Sequence, residues 1–125
     1  MKTTIGITCY NHQDYIRQAI ESALAQTVPC EIIVVDDGST DTSSLVINEY
    51  ADRVKVIRQT NRGLPSARNT AIMNASGEYF LPLDSDDVLE PTAVERVEKV
   101  FKDTDADVVG LSFKTFGSAE QSCIL

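Results

Sequence analysis

The 125-residue chain has a single histidine, His12, and only three cysteines, Cys9, Cys30 and Cys123. No Cys-x-x-Cys pair is present, which removes the zinc-ribbon and dithiol-redox classes. An odd number of scattered cysteines argues against a disulfide framework and for a reducing, cytoplasmic compartment, with Cys9 and Cys30 as buried structural thiols. The first residues form no apolar h-region, and no apolar run is long enough to cross a bilayer. Positive charge is scarce: 11 Lys and Arg stand against 19 Asp and Glu, a formal charge of −8. That balance argues against nucleic acid or an anionic membrane surface as the main partner, and it means an anionic ligand needs a cation or local arginines to offset repulsion. There is no internal repeat and no low-complexity stretch. No Gly-x-Gly-x-x-Gly follows the first apolar run, which disfavours a Rossmann dehydrogenase.

Short β-rich runs alternate with helical patterns. Strands are expected at Thr4–Cys9, Glu31–Val35, Val54–Arg58, Tyr79–Leu83 and, as a fifth, Asp107–Phe113. Between them, Ile16, Ala19, Ile20, Ala23 and Leu24 recur at helical spacing. A second helix, capped by Ser39 or Asp41, carries Leu45, Val46 and Tyr50. A third begins near Pro65, turns Ala67, Ala71, Ile72 and Ala75 inward, and stops at Gly77. Pro91 opens the last, with Val94, Val97, Val100 and Phe101 on its buried side. This alternation implies right-handed crossovers and a three-layer α/β/α sandwich with a mostly parallel sheet, one domain spanning 1–125.

In such a sheet the strand exits share one edge, where open α/β folds bind ligands. Three polar clusters fall there: Thr8-Cys9-Tyr10-Asn11, Asp36-Asp37-Gly38-Ser39, and Asp84-Ser85-Asp86-Asp87. Each has a structural explanation as a cap or turn. Paired carboxylates at two exits nevertheless repel one another unless something binds them, and acids one residue apart after a strand suit a hard divalent cation, Mn²⁺ or Mg²⁺. Arg68, in the first turn of the third helix, either leans over this edge or makes an ordinary surface ion pair.

Taken in order, Thr8-Cys9-Tyr10-Asn11, Val35-Asp36-Asp37-Gly38-Ser39-Thr40-Asp41, Asn61-Arg62-Gly63 with Ala67-Arg68-Asn69, and Asp84-Ser85-Asp86-Asp87 resemble the inverting family 2 glycosyltransferases of the GT-A fold, over essentially the whole chain. The resemblance implies that Thr8, Tyr10 and Asp36 or Asp37 surround a nucleotide base, usually uracil, with Asn11 and Ser85 beside them. It implies that Arg68 lies near the nucleotide, that Asp84 reaches ribose or metal, and that Asp86 binds the metal at the diphosphate. The partners it implies are a nucleotide-sugar donor and a sugar, lipid-linked or polysaccharide acceptor, at the cytoplasmic face of a membrane through regions outside this chain. Cys9 and Ala71 stand where the family often has Pro and Gly. Family domains also run longer, so the chain is expected to be the donor half, with the catalytic base and acceptor region beyond Leu125. Two rivals are a non-catalytic nucleotide-sugar-binding module and a phosphoacceptor receiver domain. The latter fails because a strand-helix unit precedes the acid pair and the next strand ends in Ile57-Arg58-Gln59, without a carboxylate.

Overall fold

Every residue of strand β1 (Thr3–Cys9) is buried, which requires cover on both faces of the sheet. The computed structural model describes residues 2–115 and 122–124 and supplies that cover. Helix α1 (Ile16–Leu24) follows β1 and buries Ile16, Ala19, Ile20 and Ala23, the stripe its spacing predicts. Strand β2 (Cys30–Asp36) leads to α2 (Ser43–Asn48), β3 (Lys55–Arg58), α3 (Leu64–Asn74) and β4 (Tyr79–Asp84). The strands are parallel in the order β3-β2-β1-β4. Beyond β4 come β5 (Asp87–Leu89) and α4 (Ala93–Asp103); β5 then pairs with β7 (Ser122–Ile124) in a small second sheet completed by β6 (Phe113–Thr115).

One sheet face packs Ile5, Ile7, Ile32 and Val34 against α1, Ile47 and Tyr50 from α2 and its C-terminal turn, and Ala93 and Val94 from α4. On the other face, Ile33 and Val35 meet Ala67 and Ala71 of α3. Each fully buried Ile or Val contributes about 1.5–3 kcal/mol, whereas an exposed pair such as Lys99–Asp103 is screened by solvent and adds little. The apolar middle layer, not surface charge pairing, therefore holds the fold. Cys9 is buried and Cys30 partly so, both as free thiols. Desolvation raises the pKa of each, that of Cys30 to about 11, which suits structural cysteines. The side chain of Cys123 lies outside the described residues. Among the described residues, no helix is long and apolar enough to cross a membrane.

Several local expectations are corrected. The expected fifth strand at Asp107–Phe113 does not join the main sheet: residues 104–112 are irregular, and only Phe113 enters a strand, β6 of the second sheet. That segment has little to pack against, since Val108 is 84% exposed and open space surrounds Gly110. Helix α3 ends at Asn74, before Gly77. Gly77 is instead small because a Cβ there would meet the Thr4 backbone nitrogen at 2.7 Å. Ile72, expected inward, is half exposed because Ala67 and Ala71 already define the buried face. Leu45 and Val100 also face solvent, while Ile47 takes the buried position on α2.

Candidate functional site

After β1 the chain builds outward through β2 to β3, then crosses back to place β4 on the opposite side of β1. Strand order thus reverses between β1 and β4, the place where open α/β sheets receive ligands at their carboxyl ends. Thr8 lies in register with Asp84, and Cys9 with Asp36, so the three polar exits meet at one edge. They line a cleft of about 520 Å³ that includes Thr8, Tyr10, His12, Asp37, Asp84 and Asp86.

The β2 side is built around Asp37. Its Oδ1 accepts the backbone N–H of Arg62 at 2.9 Å and the side-chain amide of Gln59 at 2.9 Å, and its Oδ2 accepts the Gly63 N–H at 2.9 Å. Gly38 has φ 76°, and a Cβ there would lie 2.7 Å from the Asn61 backbone nitrogen, so only glycine lets the two turns close together. Asp36 turns away from the cleft: its Oδ1 accepts the Ser39 N–H at 3.0 Å, and Arg58 Nε lies 4.0 Å from its Oδ2. Asn11 takes a left-handed conformation, φ 53°, which Asn tolerates better than most residues. Its Oδ1 accepts the N–H groups of Thr40 and Asp41 at 2.7 and 3.3 Å, tying the first exit loop to the second.

On the β4 side, ligand oxygens of Asp84, Asp86 and Asp87 lie within 4.8 Å of one another. This all-oxygen donor set fits a hard divalent cation and gives a soft one no nitrogen or sulfur ligand. Arg68 does lean over the edge: its Nη2 donates to Asp84 Oδ1 at 3.0 Å. Ser85 is buried, and its Oγ lies 2.5 Å from His12 Nδ1. The backbone N–H of His12 in turn donates to Ser43 Oγ at 3.1 Å. On the β1 side, Thr8 Oγ1 is enclosed and has no hydrogen-bond partner among the described residues.

Of the expected residues, Thr8, Tyr10, Asp37, Asp84, Ser85 and Asp86 line the cleft. Arg68 reaches it through Asp84, whereas Asp36 and Asn11 shape it from behind. Sequence reasoning passed over His12 and Gln59. Their only local signal is a polar side chain close to a strand exit, and their partners lie 73 and 22 residues away in the chain.

A parallel α/β sheet with an acidic cleft at its switch point defines a ligand-binding domain of the doubly wound class. More narrowly, residues 4–123 match the model of glycosyl transferase family 2, and the chain belongs to that family. It is 37% identical over 123 residues to the glycosyltransferase GlyA of Streptococcus pneumoniae, covering 95% of this chain and 18% of GlyA. It is 48% identical over 96 residues to the chondroitin synthase of Escherichia coli, covering 74% of this chain and 14% of the synthase. Its fold matches S. aureus TarS 1-349, solved in complex with UDP, with TM-score 0.79 and 32% identity over 86% of this chain and 34% of that one. It also matches the mannosyltransferase PcManGT of Pyrobaculum calidifontis, solved with GDP-Man and Mn²⁺, with TM-score 0.73 and 25% identity over 78% and 31% of the two chains. The chain spans about a third or less of each of these proteins.

Proposed function

We propose that the cleft binds a nucleoside-diphosphate sugar, specifically a UDP-sugar, through Mn²⁺ or Mg²⁺ held by Asp84 and Asp86. Residues 1–125 then serve as the donor-binding domain for inverting transfer to an acceptor hydroxyl in the complete protein. The observation that carries this reading is the cluster of Asp84, Asp86 and Asp87 oxygens at the switch-point exit of β4. On a chain of formal charge −8, a bare diphosphate is repelled there, so a bridging cation is what makes the site usable. The bound cation supplies Lewis-acid stabilisation of negative charge on the leaving diphosphate.

The chain's own groups do the positioning. Tyr10, 45% exposed at the cleft, offers a flat face to the base. Thr8 Oγ1 offers an unused hydrogen-bonding group. The Asp37 carboxylate already accepts three N–H donors, and a carboxylate has about four lone-pair sites, so one remains for the N3–H of uracil. Asp36, Asn11 and Ser85 hold the loops that carry these groups, and Arg68 adds positive charge at the phosphate side. TarS with UDP supports the uracil assignment by similarity, and PcManGT with Mn²⁺ supports the metal assignment.

Titration calorimetry of UDP with the chain tests the reading. Binding should be at least about tenfold tighter with Mn²⁺ than with chelator, a difference of about 1.4 kcal/mol, and Asp86→Ala should abolish the metal dependence. Equal affinity with and without metal would overturn the bridging role.

A further inference from the structure

Arg68 donates to Asp84 Oδ1 at 3.0 Å, from the first turns of α3 to the exit of β4. Its side chain is 42% exposed and that of Asp84 is 38% exposed, so the pair can separate without opening the core. The Nε–H of the same guanidinium is enclosed and has no acceptor among the described residues. The pairing thus uses the charge of Arg68 but leaves part of its planar donor fork unsatisfied. A diphosphate, rich in oxygen acceptors, matches such a fork better than one carboxylate oxygen does.

Mg²⁺, for example, binds its oxygen ligands at about 2.1 Å. By distance alone, a cation on Asp84 Oδ1 would lie no more than about 5 Å from Arg68 Nη2, and the two positive groups would repel. We propose that Arg68 is a positioning residue that makes cation binding depend on the diphosphate. It competes with the divalent cation for Asp84, and a bound diphosphate relieves the competition by drawing the guanidinium onto its own oxygens. Linkage then requires that the cation tighten diphosphate binding by the same factor as the diphosphate tightens cation binding. This inference rests on the reading of Asp84 and Asp86 as cation ligands.

The test measures Mn²⁺ binding by the loss of the free-ion paramagnetic resonance signal, with and without UDP, in the full chain. Arg68→Gln should bind Mn²⁺ alone at least about fivefold more tightly than the unaltered chain, yet bind UDP at saturating Mn²⁺ at least about fivefold more weakly, so the mutual enhancement shrinks. Arg68→Lys keeps the charge and should leave the affinity for Mn²⁺ alone close to that of the unaltered chain. A merely structural role for Arg68 would weaken both bindings together. If Arg68→Gln binds Mn²⁺ alone no more tightly while Asp86→Ala loses it, competition is overturned and the cation site stands. If neither Asp84→Asn nor Asp86→Ala changes Mn²⁺ binding, the cation site is overturned and the inference falls with it.

Discussion

Asp37 Oδ2 accepts the backbone N–H of Gly63 at 2.9 Å, so the exit of β2 fixes the turn that starts α3. The same carboxylate holds Arg62 and Gln59, which makes one buried side chain both a wall of the cleft and its brace.

Replacing Asp37 should therefore cost stability as well as binding. Asp37→Ala takes the buried acceptor from three partly buried donors, and a donor left unsatisfied away from water costs about 1–3 kcal/mol. A loss of at least about 2 kcal/mol in urea unfolding is expected, with Asp37→Asn losing less because its amide oxygen still accepts. A loss under about 0.5 kcal/mol for Asp37→Ala would mean that the turn holds itself.

Base preference gives a second measurement. UDP should bind several-fold more tightly than GDP or ADP in Mn²⁺, because a base that cannot satisfy Thr8 and Asp37 leaves a buried polar group unpaired at about 1–3 kcal/mol. Competition among the three diphosphates decides it. GDP matching UDP would remove the base-pocket assignment while leaving the metal site intact.

Gly6 sits in β1 beneath Phe80, where an added Cβ would meet the ring Cζ at 2.4 Å and Ala71 Cβ at 3.0 Å. Overpacking of this kind costs about 1–3 kcal/mol, and Gly6→Ala should lose that much in chemical denaturation. Adding Phe80→Leu should recover part of the loss. No recovery would mean that α3, through Ala71, is the immovable neighbour.

Glu31 ties β2 to the approach of β4: its carboxylate accepts the backbone N–H and hydroxyl of Ser76 at 2.9 and 2.7 Å and the Thr4 hydroxyl at 2.7 Å. The Ser76 backbone N–H, foremost, holds the Glu31 pKa below its ordinary 4.5. Because the folded-state pKa is depressed, the stabilisation is present above the unfolded value and is lost as pH falls through the folded one. Glu31→Gln should cost about 1 kcal/mol at neutral pH. Its deficit should narrow as the pH drops below about 4.5. A deficit that stays constant into acid would assign the effect to shape rather than charge.

The strand-helix alternation, the buried stripe of α1 and the acid pair Asp84 and Asp86 were legible in the sequence because each depends on residues a few places apart. Periodicity of 2 or 3.6 is set by local backbone geometry, and a carboxylate after an apolar run marks a strand exit wherever that strand lies. The same local logic misjudged Ile72 and the 107–113 segment, since burial needs a partner surface and neither position has enough of one.

What the sequence determined by itself is the class of fold and the chemical character of its edge: parallel strands, acidic exits and a cationic helix start. Tertiary structure alone decided that β4 lies beside β1 rather than beyond β3, which puts Thr8 in register with Asp84. It also decided that Asp37 braces the 61–63 turn, that His12 meets Ser85, and that Arg68 takes Asp84 as its partner. Strand order and such pairings are settled by the simultaneous packing of both sheet faces, a sum over contacts far apart in the chain that no local pattern encodes.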